Sequence, residues 1–119
     1  MPDVSTGRVG EEYIKELLIS KGYKFVCNNF KSRFGEIDII VRDDRYIVFV
    51  EVKTRKKGSL VGAFESITTS KQKKIMRTAE YYLLKNPCKL QPRFDAAAVE
   101  TDNGRIIAVD YLTDAFRVN

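Results

Sequence analysis

Two charged positions inside an otherwise apolar hairpin constrain this chain more than anything else in it. From Gly35 to Arg55 the sequence runs Gly-Glu-Ile-Asp-Ile-Ile-Val-Arg-Asp-Asp-Arg-Tyr-Ile-Val-Phe-Val-Glu-Val-Lys-Thr-Arg. Two β-branched apolar runs flank the polar pair Asp43-Asp44, the composition of strand, turn and strand. Asp38 interrupts the first strand, and Glu51 and Lys53 interrupt the second. Charge inside a buried strand is costly unless it is paired or binds a metal. Side chains alternate faces along a strand, so Glu51 and Lys53 point the same way. A turn of a few residues at Asp43-Asp44 sets Asp38 opposite positions 49 to 51. Directly opposed side chains lie roughly 5 Å apart at Cβ. Two carboxylates at that range repel unless a cation or a proton sits between them.

The spacing Asp38, then Glu51-Val52-Lys53, resembles the Asp…(Asp/Glu)-x-Lys site of the restriction-endonuclease-like nucleases. The resemblance extends over nearly the whole chain. Gly10-Glu11, Asn29, Phe34-Gly35-Glu36-Ile37-Asp38, Phe49-Val50-Glu51-Val52-Lys53-Thr54-Arg55, Lys71-Gln72 and Arg93-Phe94-Asp95 together resemble the YraN family of small bacterial proteins. That family is thought to be similar in fold to archaeal Holliday-junction resolvases. One departure is visible: the superfamily often carries Pro before the first Asp, where this chain has Ile37.

The resemblance implies a restriction-endonuclease-like α/β core and a metal-dependent endonuclease acting on DNA, branched or structured. Asp38 and Glu51 would bind Mg²⁺ or Mn²⁺, with the Val52 carbonyl as a further ligand. Lys53 would orient the attacking water or offset charge on phosphorus. The glutamate of Gly10-Glu11 would help hold the metal, making Glu11 the fourth catalytic residue. On residues alone, Glu11 reads equally well as a first-turn acid that favours the helix dipole. A homodimer is implied only by analogy with junction resolvases.

Charge distribution points to a polyanionic partner. Net charge is only +5, but residues 53–77 carry eight Lys and Arg against the single acid Glu65. A basic patch beside acidic residues suits a phosphate backbone. Lys53, Arg55, Lys56, Lys57, Lys71, Gln72 and Lys74, with Arg33 from the preceding link, are the expected nucleic-acid contacts; the charge pattern does not choose between DNA and RNA, and the resemblance favours DNA. Tyr46, Phe34 and Phe64 are candidates for stacking on bases, with core packing the commoner role.

Absences narrow the chemistry. There is no histidine, which excludes the usual zinc sites and a histidine base. Cys27 and Cys88 have no metal-like spacing and read as reduced thiols. No apolar run nears the roughly 20 residues that span a bilayer, and residues 1–7 lack a signal-peptide core. No membrane partner and a cytoplasmic location are the expectation.

The chain reads as one domain over 1–119. A helix is predicted over 7–21, stopped by Gly22. Tyr23 to Phe30 reads as a strand, followed by the hairpin. A basic loop is expected after Lys53, and a capping box at Thr69-Ser70-Lys71-Gln72 opens a long helix ending at Asn86-Pro87. Arg93–Val99 and Ile106–Leu112 read as strands joined by a type I′ turn at Asp102-Asn103-Gly104-Arg105. The order α-β-β-β-α-β-β makes a mixed central sheet with flanking helices, the strand before the long helix running parallel to the one after it. Asp95 is expected to make a structural contact.

Two other readings use the same residues. In one, the fold is a nucleic-acid-binding module without turnover. In the other, Glu51 and Lys53 are an exposed edge-strand pair that guards against aggregation.

Overall fold

The computed structural model describes residues 6–58 and 62–117. Helix α1 (Thr6–Ser20) leads into strands β1 (Lys24–Ser32), β2 (Gly35–Arg42) and β3 (Tyr46–Lys56). A short 3₁₀ turn (Phe64–Ser66) precedes helix α2 (Thr69–Lys85), and β4 (Gln91–Asp102) and β5 (Arg105–Phe116) complete the chain. The strands lie in sequence order across one sheet. Neighbours are antiparallel except β3 and β4, which run parallel through eleven consecutive pairs, Tyr46↔Gln91 to Lys56↔Thr101. The expected α-β-β-β-α-β-β order and the parallel crossover are therefore both present.

Alternation along β3 explains why a helix lies on each face. Val48, Val50 and Val52 pack with Ile14 and Leu18 of α1. Ile47 and Phe49 pack with Ile75, Ala79 and Tyr82 of α2. Each large side chain so buried stabilises the fold by roughly 1.5–3 kcal/mol. On the α2 face, Phe49, Phe94 and Phe116 stack in a row at centroid separations of 5.5 and 5.3 Å. Ala96, Ala97 and Ala98 are buried in β4.

The turns follow their residues. Gly22 closes α1 at φ 99°, the left-handed stop expected of it. At the β2–β3 turn, Asp43 Oδ1 accepts the N–H groups of Arg45 and Tyr46. Asn103 and Gly104 take φ 52° and 79°, the two positive values of a type I′ turn.

Three expectations are corrected. The cap of α2 is Thr68, one residue earlier than read, because Thr68 is extended and its Oγ1 accepts the Lys71 N–H. Gln72 therefore falls one position further into the helix, and its amide donates to the Ile67 carbonyl. Strand β3 does not end at Lys53 but continues to Lys56, because β4 supplies a paired neighbour along that whole length. Of the expected loop, Ser59, Leu60 and Val61 lie outside the described residues. Among the described residues no helix is long and apolar enough to cross a membrane.

Candidate active site

The site forms where β2 leaves β3. The antiparallel ladder between them holds only from Ile39↔Val50 to Arg42↔Ile47. One step beyond it, the register sets Asp38 against Glu51. There β2 also changes face: Ile37 packs in the α2 cluster and Ile39 in the α1 cluster, although two residues apart on a regular strand share a face. In β1, Asn28 and Phe30 pair with Ile39 and Ile37, and between them Asn29 is left-handed at φ 50°. Asparagine tolerates that conformation better than most residues. The distortion turns the Asp38 side chain toward β3, where its Oδ2 accepts the Val52 N–H at 2.8 Å. A backbone donor that the ladder leaves unpaired is thus satisfied by a carboxylate.

Glu51 reaches the same spot from the α2 face of β3 and is 4% exposed. Burial raises the Asp38 pKa first. The Glu51 carboxylate raises it further, the Val52 N–H opposes, and Glu11 and a hydrogen bond to Glu51 add to the rise, bringing it to about 8. Two acids that hydrogen-bond to each other share a proton or accept a cation in its place.

Two lysines complete the cluster. Lys71, in the first turn of α2, places its Nζ 2.8 Å from Glu51 Oε2. Lys53 Nζ lies 3.6 Å from the same oxygen. Burial and the neighbouring Lys71 amine push the Lys53 pKa down. Burial works against charge on Lys71 as well, but hydrogen bonds to Glu51 and Lys53 outweigh it and its pKa is raised. One amine of the pair is thus held firmly cationic while the other gives up its proton more readily.

The remaining expected residues fall at graded distances. Glu11, half-buried on α1, has its pKa raised by burial and by the charges of Glu36 and Glu51. It feels the site from the other face of the sheet, where a small cleft of about 110 Å³ is lined by Arg8, Glu11, Asn28 and Asn29 among others. Among the described residues no three acidic side chains cluster closely enough to ligate one ion, so Glu11 stands outside the inner pair. Arg55 continues the row of Glu51 and Lys53 and acts electrostatically on Lys53. Lys56 is exposed, and Lys57 is spent on Asp102 at 3.8 Å. Lys74 lines a groove of about 320 Å³ with Gly35, Glu36, Thr68, Ser70, Lys71 and Ile75. Arg33 lies over the Phe34 ring at 4.9 Å. Gln72 is a capping residue by its contacts, not a groove residue.

Sequence reading missed Arg77, whose guanidinium lies 5.3 Å from the centre of the same Phe34 ring. It also missed that Lys71 is the nearest cation to Glu51. Only the spacing of basic residues around the start of α2 hinted at either. Asp95 is structural as expected: fully buried, it accepts hydrogen bonds from Arg93, the Tyr111 hydroxyl and the Asp114 N–H.

The sequence profile described as "Uncharacterised protein family UPF0102" matches residues 10–99. The chain belongs to this family. UPF0102 is the YraN family that the motifs resembled, and the matched span contains every one of those motifs, from Gly10-Glu11 to Arg93-Phe94-Asp95. A UPF0102 protein of Nitrosospira multiformis is 40% identical over 113 residues, covering 95% of this chain and 93% of that protein. One from Prosthecochloris aestuarii is 40% identical over 116 residues, covering 92% and 91%. One from Persephonella marina is 46% identical over 100 residues, covering 82% and 84%. The likeness to UPF0102 proteins is therefore one of whole chains rather than of an isolated motif.

Proposed function

We propose that this protein is a metal-dependent endonuclease that hydrolyses phosphodiester bonds in DNA. The observation that carries the reading is the meeting of Asp38 and Glu51 at the separation of β2 from β3, with Lys53 and Lys71 on the same carboxylate. The donors suit Mg²⁺ or Mn²⁺, hard cations that prefer oxygen. Asp38, Glu51 and the Val52 carbonyl would hold such an ion. With no third acid in the inner cluster among the described residues, it would keep several waters, as Mg²⁺ commonly does. Bound there, the ion supplies a Lewis acid for a phosphate oxygen and acidifies a water.

The chain's own residues supply the rest. Lys53 is suited to orient the attacking water or to offset charge on phosphorus. Lys71 remains cationic and is placed to neutralise charge that develops on the phosphate oxygens. Arg55 and Lys74 extend the positive field to neighbouring phosphates without reading bases. The test is Mn²⁺-dependent cleavage of a panel of junction, flap, single-stranded and duplex DNA, with Asp38→Asn, Glu51→Gln and Lys53→Ala as controls. Cleavage lost in all three variants is the expected result. Wild-type protein that leaves every substrate intact overturns the reading.

One observation favours a second reading, a nucleic-acid-binding protein without turnover. Lys71 already occupies the close cationic position at Glu51, so the acid is satisfied without a metal. The same panel separates the two: the second reading expects retention of DNA with no cleavage in any metal.

A further inference from the structure

The turn joining β1 to β2 is fixed against α2 more firmly than a surface turn requires. Ser32 Oγ lies 3.1 Å from Thr78 Oγ1, and Thr78 in turn donates to the Lys74 carbonyl at 2.8 Å. The Phe34 N–H donates to Ser32 Oγ at 3.0 Å. Gly35 packs against α2: a Cβ there would be in van der Waals contact with Lys74 Cβ and Thr78 Oγ1, 3.6 Å from each. Phe34 is thereby held between the turn and the helix, with Arg33 at 4.9 Å and Arg77 at 5.3 Å from its ring centre.

These guanidiniums differ from the other well-placed arginines of the protein. Arg93 is locked to Asp95, and Arg117 to Asp114. Among the described residues neither Arg33 nor Arg77 forms an ion pair with a carboxylate. Both are exposed, and their neighbours Gly35, next to Phe34, and Lys74, one turn before Arg77, line the groove of about 320 Å³ that reaches Lys71 and also includes Glu36. An aromatic ring that orients two planar guanidiniums while leaving their donors free prepares them for bidentate hydrogen bonds to oxyanions such as phosphate. The groove is at the lower end of ligand-sized clefts. A volume of that size matches one nucleotide unit.

We infer that Arg33, Phe34 and Arg77 form a phosphate clamp for a single strand of nucleic acid, which passes through the groove to the carboxylate pair. The inference rests on the proposed nuclease reading and adds the form of its substrate. Phe34 acts as a positioning residue, and the two arginines carry the contacts.

The test is fluorescence anisotropy in EDTA with a labelled single-stranded oligonucleotide and a labelled duplex, across a series of salt concentrations. Wild-type protein is expected to bind the single strand more tightly. Arg33→Gln and Arg77→Gln should each lower the slope of log K against log salt by about 0.7 for the single strand. Phe34→Leu, which keeps every charge, should weaken binding about threefold. Lys85→Gln, at the far end of α2, controls for net charge, and melting curves confirm folding. Arginine variants no weaker than that control, or tighter binding of the duplex, overturn the clamp. An unaffected Phe34→Leu overturns the positioning role. Cleavage with Mn²⁺ is scored separately: binding as described without cleavage removes the nuclease reading and keeps the clamp, and cleavage with unaltered clamp variants does the reverse.

Discussion

Asp38 Oδ2 accepts the Val52 N–H at 2.8 Å, so a side chain of β2 takes the place that the β2–β3 ladder has vacated. The carboxylate is thereby fixed beside Glu51 and partly withdrawn from water. Its pKa is raised to about 8, from burial first and from Glu51 next.

That relationship sets a pH dependence. The folded pKa of Asp38 lies above its value in the unfolded chain. The folded state therefore binds the proton more tightly, and its stability is highest below about pH 4 as far as this group is concerned. The contribution is lost as pH rises from about 4 to about 8. Asp38→Asn keeps an acceptor for Val52 and removes the titration. It should raise metal-free stability at pH 8 by at least the ~1.4 kcal/mol that one unit of raised pKa represents. The gain should vanish near pH 4. Urea unfolding in EDTA at both pH values checks this.

Divalent cations should reverse the balance. Mn²⁺ at a hundredfold excess over its Kd should stabilise the wild type by about 2.7 kcal/mol, read as a rise in Tm. Asp38→Ala combined with Glu51→Ala should show no such rise. An equal rise in both proteins would remove the metal site.

Lys71 offers a sharper form of the same question. Its ammonium holds the position beside Glu51 that an ion would need, at 2.8 Å. Lys71→Ala should cost about 1 kcal/mol in metal-free protein, a modest figure because the lysine is partly solvated. The same variant should respond more strongly to Mn²⁺ than the wild type does, since a competing cation has been removed. Titrations of Tm against Mn²⁺ for the two proteins measure the difference.

Asp95 should be the most sensitive charge for stability. Asp95→Ala would leave Arg93 with only the Tyr23 hydroxyl, and Tyr111 and the Asp114 N–H without their acceptor. A loss of about 3–5 kcal/mol is expected, as for other buried pairs from which one partner is removed. Denaturant unfolding at pH 7 reads it.

The packing of α1 on β3 is equally specific. A Cβ at Gly10 would lie 2.1 Å from Thr54 Oγ1. Gly10→Ala should destabilise by about 1–3 kcal/mol through overpacking. Thr54→Ala removes the clashing oxygen, which is itself buried without a hydrogen-bond partner among the described residues. The double variant should recover most of the loss, and a double-mutant cycle measures the coupling.

Where the sequence could be read, the residues acted locally. The Ile and Val runs around Asp43-Asp44 make the hairpin, Asn103-Gly104 makes its own turn, and Gly22 ends its helix. Asp38 and Glu51 were recognisable because charge is out of place among such neighbours. What could not be read depended on contacts between distant segments or on choices among equals. Thr68, Thr69 and Ser70 are all competent caps, and only the path of the chain selects Thr68. The end of β3 is decided by β4, and the Arg33–Phe34–Arg77 arrangement by the docking of a turn on α2. The change of face at Asp38 left a trace only in Asn29, a residue that is common in ordinary loops as well.

The unequal pairing of β3 has a mechanical meaning. Eleven steps bind it to β4 and four bind it to β2. The sheet is thus held by a long ladder on one side of β3 and a short one on the other, and the two carboxylates lie where the short ladder ends, one on each strand. Whatever sits between them, proton, amine or ion, works as a clasp that closes the gap where backbone pairing stops.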